Sequence, residues 1–269
     1  IACGNAVQEA IATELWKLNP LTKKLVPTNH EKLSREAALQ VALEQFKEYQ
    51  PNDDKDQTKK DHYIETIPQT VHQIFLALEK LYGGVLVSAP IVVCEKHISK
   101  SDPNLLIEIV GRPDFQFGAF PEDQKTSNVS PSSSGSFLVE LKTVHDRFGK
   151  LKKDGSYTQL KAKLPTSPSE AHLMQCSFYS AVYDFNHPIF LVYACKDDHE
   201  IYDSTNCAGL TKGGLKKNYN KLVAVAKRRE RMMSRYEHMD KDAMIQNLCA
   251  DTDPNWSHPY MWSIGNEFL

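Results

Sequence analysis

The stretch Phe137-Leu138-Val139-Glu140-Leu141-Lys142-Thr143 places a carboxylate and an amine inside an otherwise apolar run. Side chains alternate faces along a strand, so Glu140 and Lys142 share one face and Leu141 points to the other. Buried together, an acid and an amine cost free energy unless they are paired or used. Upstream, Leu105 to Phe117 reads as a strand bent at Gly111 and Pro113 that delivers the carboxylate of Asp114. Asp114, Glu140 and the backbone carbonyl of Leu141 would together offer the oxygen ligands that a hard cation such as magnesium prefers. Lys142 would stand as a lysine beside such a metal site. The bland alternative for Glu140 and Lys142 is an edge-strand salt bridge, worth ~0–1 kcal/mol if exposed. Their apolar neighbours argue instead for burial.

These residues must be held by the elements around them. Residues 1–50 read as helical. A short amphipathic helix spans Gln8 to Leu18, and a longer one spans Glu31 to Tyr49. The polar stretch from Gln50 to Lys60 reads as a linker, which makes 1–60 an N-terminal helical subdomain. Pro68 fits the first turn of the next helix, which Gly83-Gly84 would stop after Tyr82. Val85 to Ile98 follows as a strand or hairpin arm, and Phe120 to Ser136 is a Ser- and Pro-rich excursion between strands. Ser167-Pro168-Ser169-Glu170 starts a helix to about Phe185, with Pro168 in its first turn. In that helix Gln175 and Tyr179 lie four apart and share a face. Pro188 to Cys195 is an apolar strand with a hairpin partner at His199 to Asp203, and Thr211 to Glu237 is a long basic helix. The core would then run from 61 to 238. Trp256, Tyr260 and Trp262 mark 239–269 as a docked tail.

Between the central strand and the Gln175 helix lie Arg147, Lys150, Lys152, Lys153, Lys161 and Lys163, with Tyr157 among them. A cationic loop there either holds a phosphate backbone, with Tyr157 stacked on a base, or is an ordinary solvated surface loop. The formal net charge of −2 excludes a globally basic nucleic-acid coat but not a local basic groove. No run of about 18 apolar residues exists, so no membrane helix is expected. Ile1 to Asn5 lack the basic start and apolar core of a signal peptide. The six cysteines are scattered without a Cys-x-x-Cys pair, which predicts reduced thiols in an intracellular protein rather than a zinc or iron–sulfur site.

Pro113-Asp114 followed by Glu140-Leu141-Lys142 resembles the PD-(D/E)XK nuclease superfamily. Gln175-Cys176-Ser177-Phe178-Tyr179 resembles the Gln-x-x-x-Tyr motif of its RecB-like and phage lambda exonuclease-like branch. The resemblance spans about residues 66 to 205. It implies a restriction-endonuclease-like α/β (α+β) core, a mixed sheet flanked by helices, here with an N-terminal helical addition. It also implies a magnesium-dependent phosphodiesterase, with manganese able to substitute. Asp114 and Glu140 would bind the metal, Lys142 would assist hydrolysis, and Gln175 and Tyr179 would support substrate. His72 or Glu79 on the preceding helix would be a further ligand. The expected substrate is DNA, single-stranded or at ends, processed as an exonuclease. Two alternatives stand beside this: an endonuclease of the same fold acting on DNA or RNA, and a non-catalytic nucleic-acid-binding subunit.

Overall fold

A computed structural model of the chain describes residues 7, 11, 16–18, 25–27, 35–82, 92–94, 97–117, 136–234 and 240. At its centre is β7 (Phe137–Thr143), the strand that carries Glu140 and Lys142. It lies in a five-stranded sheet with β3 (Val92–Cys94), β6 (Phe115–Phe117), β10 (Ile189–Ala194) and β11 (His199–Tyr202), in the order β11-β10-β7-β6-β3. The β3–β6 and β6–β7 pairs are antiparallel, β10 runs parallel to β7, and β11 runs antiparallel to β10. A parallel neighbour requires a crossover, which α3 (Glu170–Val182) provides. Sequence and position agree for β10. Its apolar run Ile-Phe-Leu-Val-Tyr-Ala fits a strand packed on both faces.

Helices cover both faces of the sheet. α1 (Arg35–Glu48) precedes α2 (Asp54–Tyr82), whose stripe Ile67, Val71, Ile74, Phe75 and Leu78 is buried. That stripe packs with Val139, Leu141, Val192 and Ala194, the residues on one face of the sheet. The opposite face presents Leu138, Leu191 and Tyr193 to Cys176 and Phe178 of α3 and to Leu215 and Tyr219 of α4 (Lys212–Ser234). Burying side chains of this size contributes roughly 1.5–3 kcal/mol each. The architecture is therefore a mixed sheet flanked by helices. No helix among the described residues is long and apolar enough to cross a membrane.

Several local expectations are corrected. Trp16–Leu18, expected to end a helix, is β1, paired antiparallel with β2 (Leu25–Pro27). Asp54 to Lys60, expected in a linker, form the first turns of α2, and Pro68 lies inside that helix rather than at its start. Asp53 Oδ1 accepts the backbone N–H of Asp56 at 2.7 Å, which satisfies an open amide at the helix entry. Ala42 and Phe46 of α1 belong to the same buried cluster as Ile74 and Val139, so this helix packs onto the common core.

Leu105 to Phe117 is not one bent strand. β5 (Ile109–Gly111) pairs with β4 (Ile98–Lys100) in a separate ribbon, while β6 belongs to the central sheet. Leu106 and Ile107 lie exposed in the turn before β5. The cationic loop is a hairpin of β8 (Arg147–Leu151) and β9 (Tyr157–Leu160), turning through Gly155 at φ +81°. Ser169, rather than Ser167, caps α3, accepting from the His172 N–H at 3.3 Å, and Pro168 precedes the helix instead of opening it. That helix stops at Val182, where Asp184 and Phe185 take left-handed φ values of 53° and 58°. The expected excursion at 120–136 and the tail at 239–269 lie outside the described residues, except Ser136 and Asp240.

Candidate active site

The site forms where β6 and β7 part. Their ladder pairs Phe117 with Phe137, Gln116 with Leu138 and Phe115 with Val139, and then stops. Pro113 has no amide N–H to continue it. The side chain of Asp114 takes over, its Oδ2 accepting the Leu141 N–H at 2.6 Å. Residues of one strand alternate their hydrogen bonds between its two edges, and the N–H and C=O of one residue share an edge. The Leu141 carbonyl therefore points to the Asp114 side, away from β10. Extending the register puts Asp114 opposite Glu140, with both side chains on the face covered by α3.

Glu140 is fully buried. Its Oε1 accepts from the Lys142 ammonium, two residues on along the same face. Its Oε2 is buried without a hydrogen-bond partner among the described residues. Burial pushes the Glu140 carboxyl above the ordinary carboxylate range, against the pull of the Lys142 charge. For Lys142 burial works downward, but the Glu140 carboxylate outweighs it and raises the ammonium pKa. Lys142 is thus held as a cation on Glu140, with a side chain 24% exposed.

The α3 helix locks this arrangement. Gln175 Nε2 donates to the Tyr179 hydroxyl at 2.8 Å, and that hydroxyl donates to the Arg112 carbonyl at 2.8 Å. The expected pair therefore meets, and it grips the segment carrying Asp114. Gly111 allows the approach: a Cβ there would stand 2.7 Å from Phe178 Cε1 and 3.0 Å from Tyr179 Cε1. Burial, with the Glu140 charge adding to it, drives the Tyr179 phenol far above its usual value, so it remains a donor.

Two residues join the site that sequence reasoning missed. Tyr193 is the register partner of Lys142, and its hydroxyl lies 2.6 Å from His172 Nδ1. Burial, and then the Lys142 charge, lower the His172 pKa, which favours a neutral imidazole. The signal was present: His172, Gln175 and Tyr179 fall at i, i+3 and i+7 on one helix face.

Other candidates stand elsewhere. His72 is exposed on α2, the helix packed against the opposite face of the sheet, and Glu79 is half-buried on that helix. Among the described residues no group of three or more His, Cys, Asp and Glu could hold a metal, so His72 does not complete one with Asp114 and Glu140. The oxygen set of Asp114, Glu140 and the Leu141 carbonyl is nevertheless of the kind magnesium or manganese takes: Glu140 Oε2 is buried and makes no hydrogen bond among the described residues, and the Asp114 carboxyl stands beside it. Lys150, Lys152 and Lys153 are exposed on the β8–β9 ribbon. Tyr157 is half-buried there, with the Lys55 ammonium 5.9 Å from its ring centroid.

A second buried carboxylate, also missed, follows β7. Asp146 Oδ2 lies 2.8 Å from His62 Nε2 and accepts from Lys196 Nζ at 2.7 Å and Gln159 Nε2 at 2.8 Å. Its Oδ1 accepts the Ala162 N–H at 2.6 Å. Burial would raise this carboxyl, but the four partners hold it well below the carboxylate range.

The chain matches no family model and no curated protein. One solved structure it resembles is titled "Crystal structure of SSO0001", at 14% identity, with 70% of this chain and 84% of that one covered and a TM-score of 0.31.

Proposed function

We propose that this protein is a metal-dependent nuclease of the PD-(D/E)XK superfamily, in its RecB-like and lambda exonuclease-like branch, which hydrolyses phosphodiester bonds in DNA. The observation that carries the reading is Glu140. It is a buried carboxylate with one oxygen on Lys142 and the other on nothing among the described residues. A protein gains no stability from such a half-satisfied group, and groups of this kind concentrate at functional sites. The strand order supports the same reading: an antiparallel β3-β6-β7 meander, then the α3 crossover to a parallel β10, as in a restriction-endonuclease-like core.

Asp114 and Glu140 would hold the divalent ion, with the Leu141 carbonyl as a third oxygen. The bound ion would supply Lewis acidity toward the phosphoryl oxygens and the attacking water. Lys142 orients that water and offsets charge developing on the phosphorus oxygens. Tyr179 keeps Asp114 in place through Arg112, and Gln175 fixes the Tyr179 hydroxyl. The Gln175–Tyr179 pair, with the lysines of the β8–β9 ribbon, favours single-stranded ends as substrate.

Labelled linear and circular single-stranded DNA, with RNA alongside, tests this in magnesium and in excess chelator. Linear DNA is degraded only with metal, and Lys142→Ala lowers kcat by roughly 10²–10³ while the protein stays folded. Robust cleavage in chelator, or near-normal kcat in folded Lys142→Ala, returns Glu140 and Lys142 to a salt bridge. Nicking of the circle as fast as the linear strand is lost makes the enzyme an endonuclease.

A further inference from the structure

The candidate active site leaves unused a cavity of about 470 Å³ on the other side of β7, between α1, α2 and the start of β8. We propose that this cavity is a second substrate subsite, holding one nucleotide of the strand being processed with its base among aromatic rings and its phosphate on Arg147 and Lys60. This rests on the nuclease reading and adds a location and a mode of binding to it.

Its size falls in the range of about 300–1,000 Å³ typical of small-molecule sites. Its walls are aromatic: Phe46, Tyr49, Tyr63, His145 and Phe148. The Tyr63 and His145 rings lie 5.0 Å apart and tilted, and Phe148 meets Tyr63 edge-on at 6.5 Å. Tyr49 stacks on Phe46 at 5.9 Å, which leaves a set of rings at several angles around one space. Such rings accept any base, since every base has a π face. Burial holds His145 down at about 4, so at neutral pH it adds a neutral ring.

The charges on the rim point to an anion. Lys59 and Asp56 pair at 2.6 Å and cancel, as do Lys196 and Asp146 at 2.7 Å. Among the described residues Lys60 donates only to the carbonyls of Lys47 and Tyr49, and its charge meets no carboxylate there. Arg147 is exposed at the mouth. Two cations over an aromatic chamber suit a phosphate attached to a flat ring. The chamber is also close enough. His145 follows Lys142 by three residues, at most about 11 Å of extended chain. A strand with its scissile phosphate at Glu140 could therefore pass the end of β7 and set a neighbouring nucleotide here.

The test uses the full chain in chelator, where no cleavage occurs, and a short single strand carrying the fluorescent base 2-aminopurine. Binding should quench the fluorophore by stacking. Phe148→Leu should abolish the quench, and both Phe148→Leu and Arg147→Glu should weaken binding about tenfold. Arg147 is exposed, so its variant keeps the test decisive if Phe148→Leu fails to fold. Unchanged quench and affinity in the variants, or no binding by the native protein, overturns the subsite. Quench that depends on Phe148 in a protein without metal-dependent turnover keeps the subsite and removes the catalytic reading. Turnover with no quench does the reverse.

Discussion

Glu140 and Asp146 are the same chemical group in nearly the same setting. Both side chains are about 1% exposed, and they lie six residues apart along β7 and the turn after it. Asp146 is saturated, with His62, Lys196, Gln159 and the Ala162 N–H around its two oxygens. Glu140 has one oxygen on Lys142 and the other on nothing among the described residues. Burial alone therefore does not separate a structural carboxylate from a functional one. Under the proposed function the count of donors does, because an unpaired buried acceptor is costly and calls for an explanation that the metal would supply. Asp146 ties α2 (through His62), β9 (through Gln159) and the end of β10 (through Lys196) to one point. Glu140 has Lys142 of its own strand and the neighbouring Asp114 beside it, and among the described residues reaches no other element.

The largest test of this contrast is Asp146→Ala. It strands the Lys196 charge and three other hydrogen-bonding groups, and should cost roughly 3–5 kcal/mol of stability in urea unfolding. Manganese affinity of the folded fraction should not change. A loss below about 1 kcal/mol would show that the cluster is an ornament of the surface rather than a joint.

Acid titration separates the two regions by sign. The fold keeps His145 at about 4, against an ordinary 6.5, so the unfolded chain takes up this proton first. Stability should then drop as the pH falls from about 6.5 to about 4, by about 3 kcal/mol at most, and His145→Gln should flatten that slope. Asp146, depressed from 3.8, adds its own loss only below that window. Glu140 is raised, so its contribution has the opposite sign. It is present at low pH and is lost as the pH rises through its folded value. Denaturant midpoints across this range, for native and His145→Gln protein, check the slopes.

The smallest effect on stability is expected for Glu140→Gln. Replacing a half-satisfied carboxylate by an amide of the same shape should move the unfolding free energy by less than about 1 kcal/mol, in either direction. Calorimetric manganese binding should nevertheless disappear. Destabilisation as large as that of Asp146→Ala would erase the distinction between the two carboxylates.

Much of this was legible in the sequence where local pattern and tertiary role coincide. The apolar runs around Glu140 and in Ile189 to Ala194 gave the two parallel strands, and the four-residue spacing of Gln175 and Tyr179 gave their contact. What the sequence concealed was long-range. Pro68 reads as a helix start because proline favours the first turn, but tertiary packing of Ile67 and Val71 carries α2 through it. The polar residues 54–60 read as linker, although Lys59 pairs with Asp56 and Lys60 caps carbonyls of α1 and the turn after it. Asp146 was invisible because its donors come from positions 62, 159, 162 and 196, with no spacing in common. His172 lay in plain view on the helix already singled out, but its relevance depends on a strand register that no local pattern records.

The bond from the Leu141 N–H to Asp114 has a consequence for observing this molecule. In a regular sheet an amide is shielded from solvent exchange by a neighbouring backbone, and it opens when the ladder opens. Here the shield is one side chain, 27 residues away. The exchange rate of this amide therefore reports whether Asp114 is seated, independently of whether the sheet is intact. Slow exchange at Val139 with fast exchange at Leu141 would be the signature of a folded scaffold whose site has come apart, read without substrate, metal or turnover.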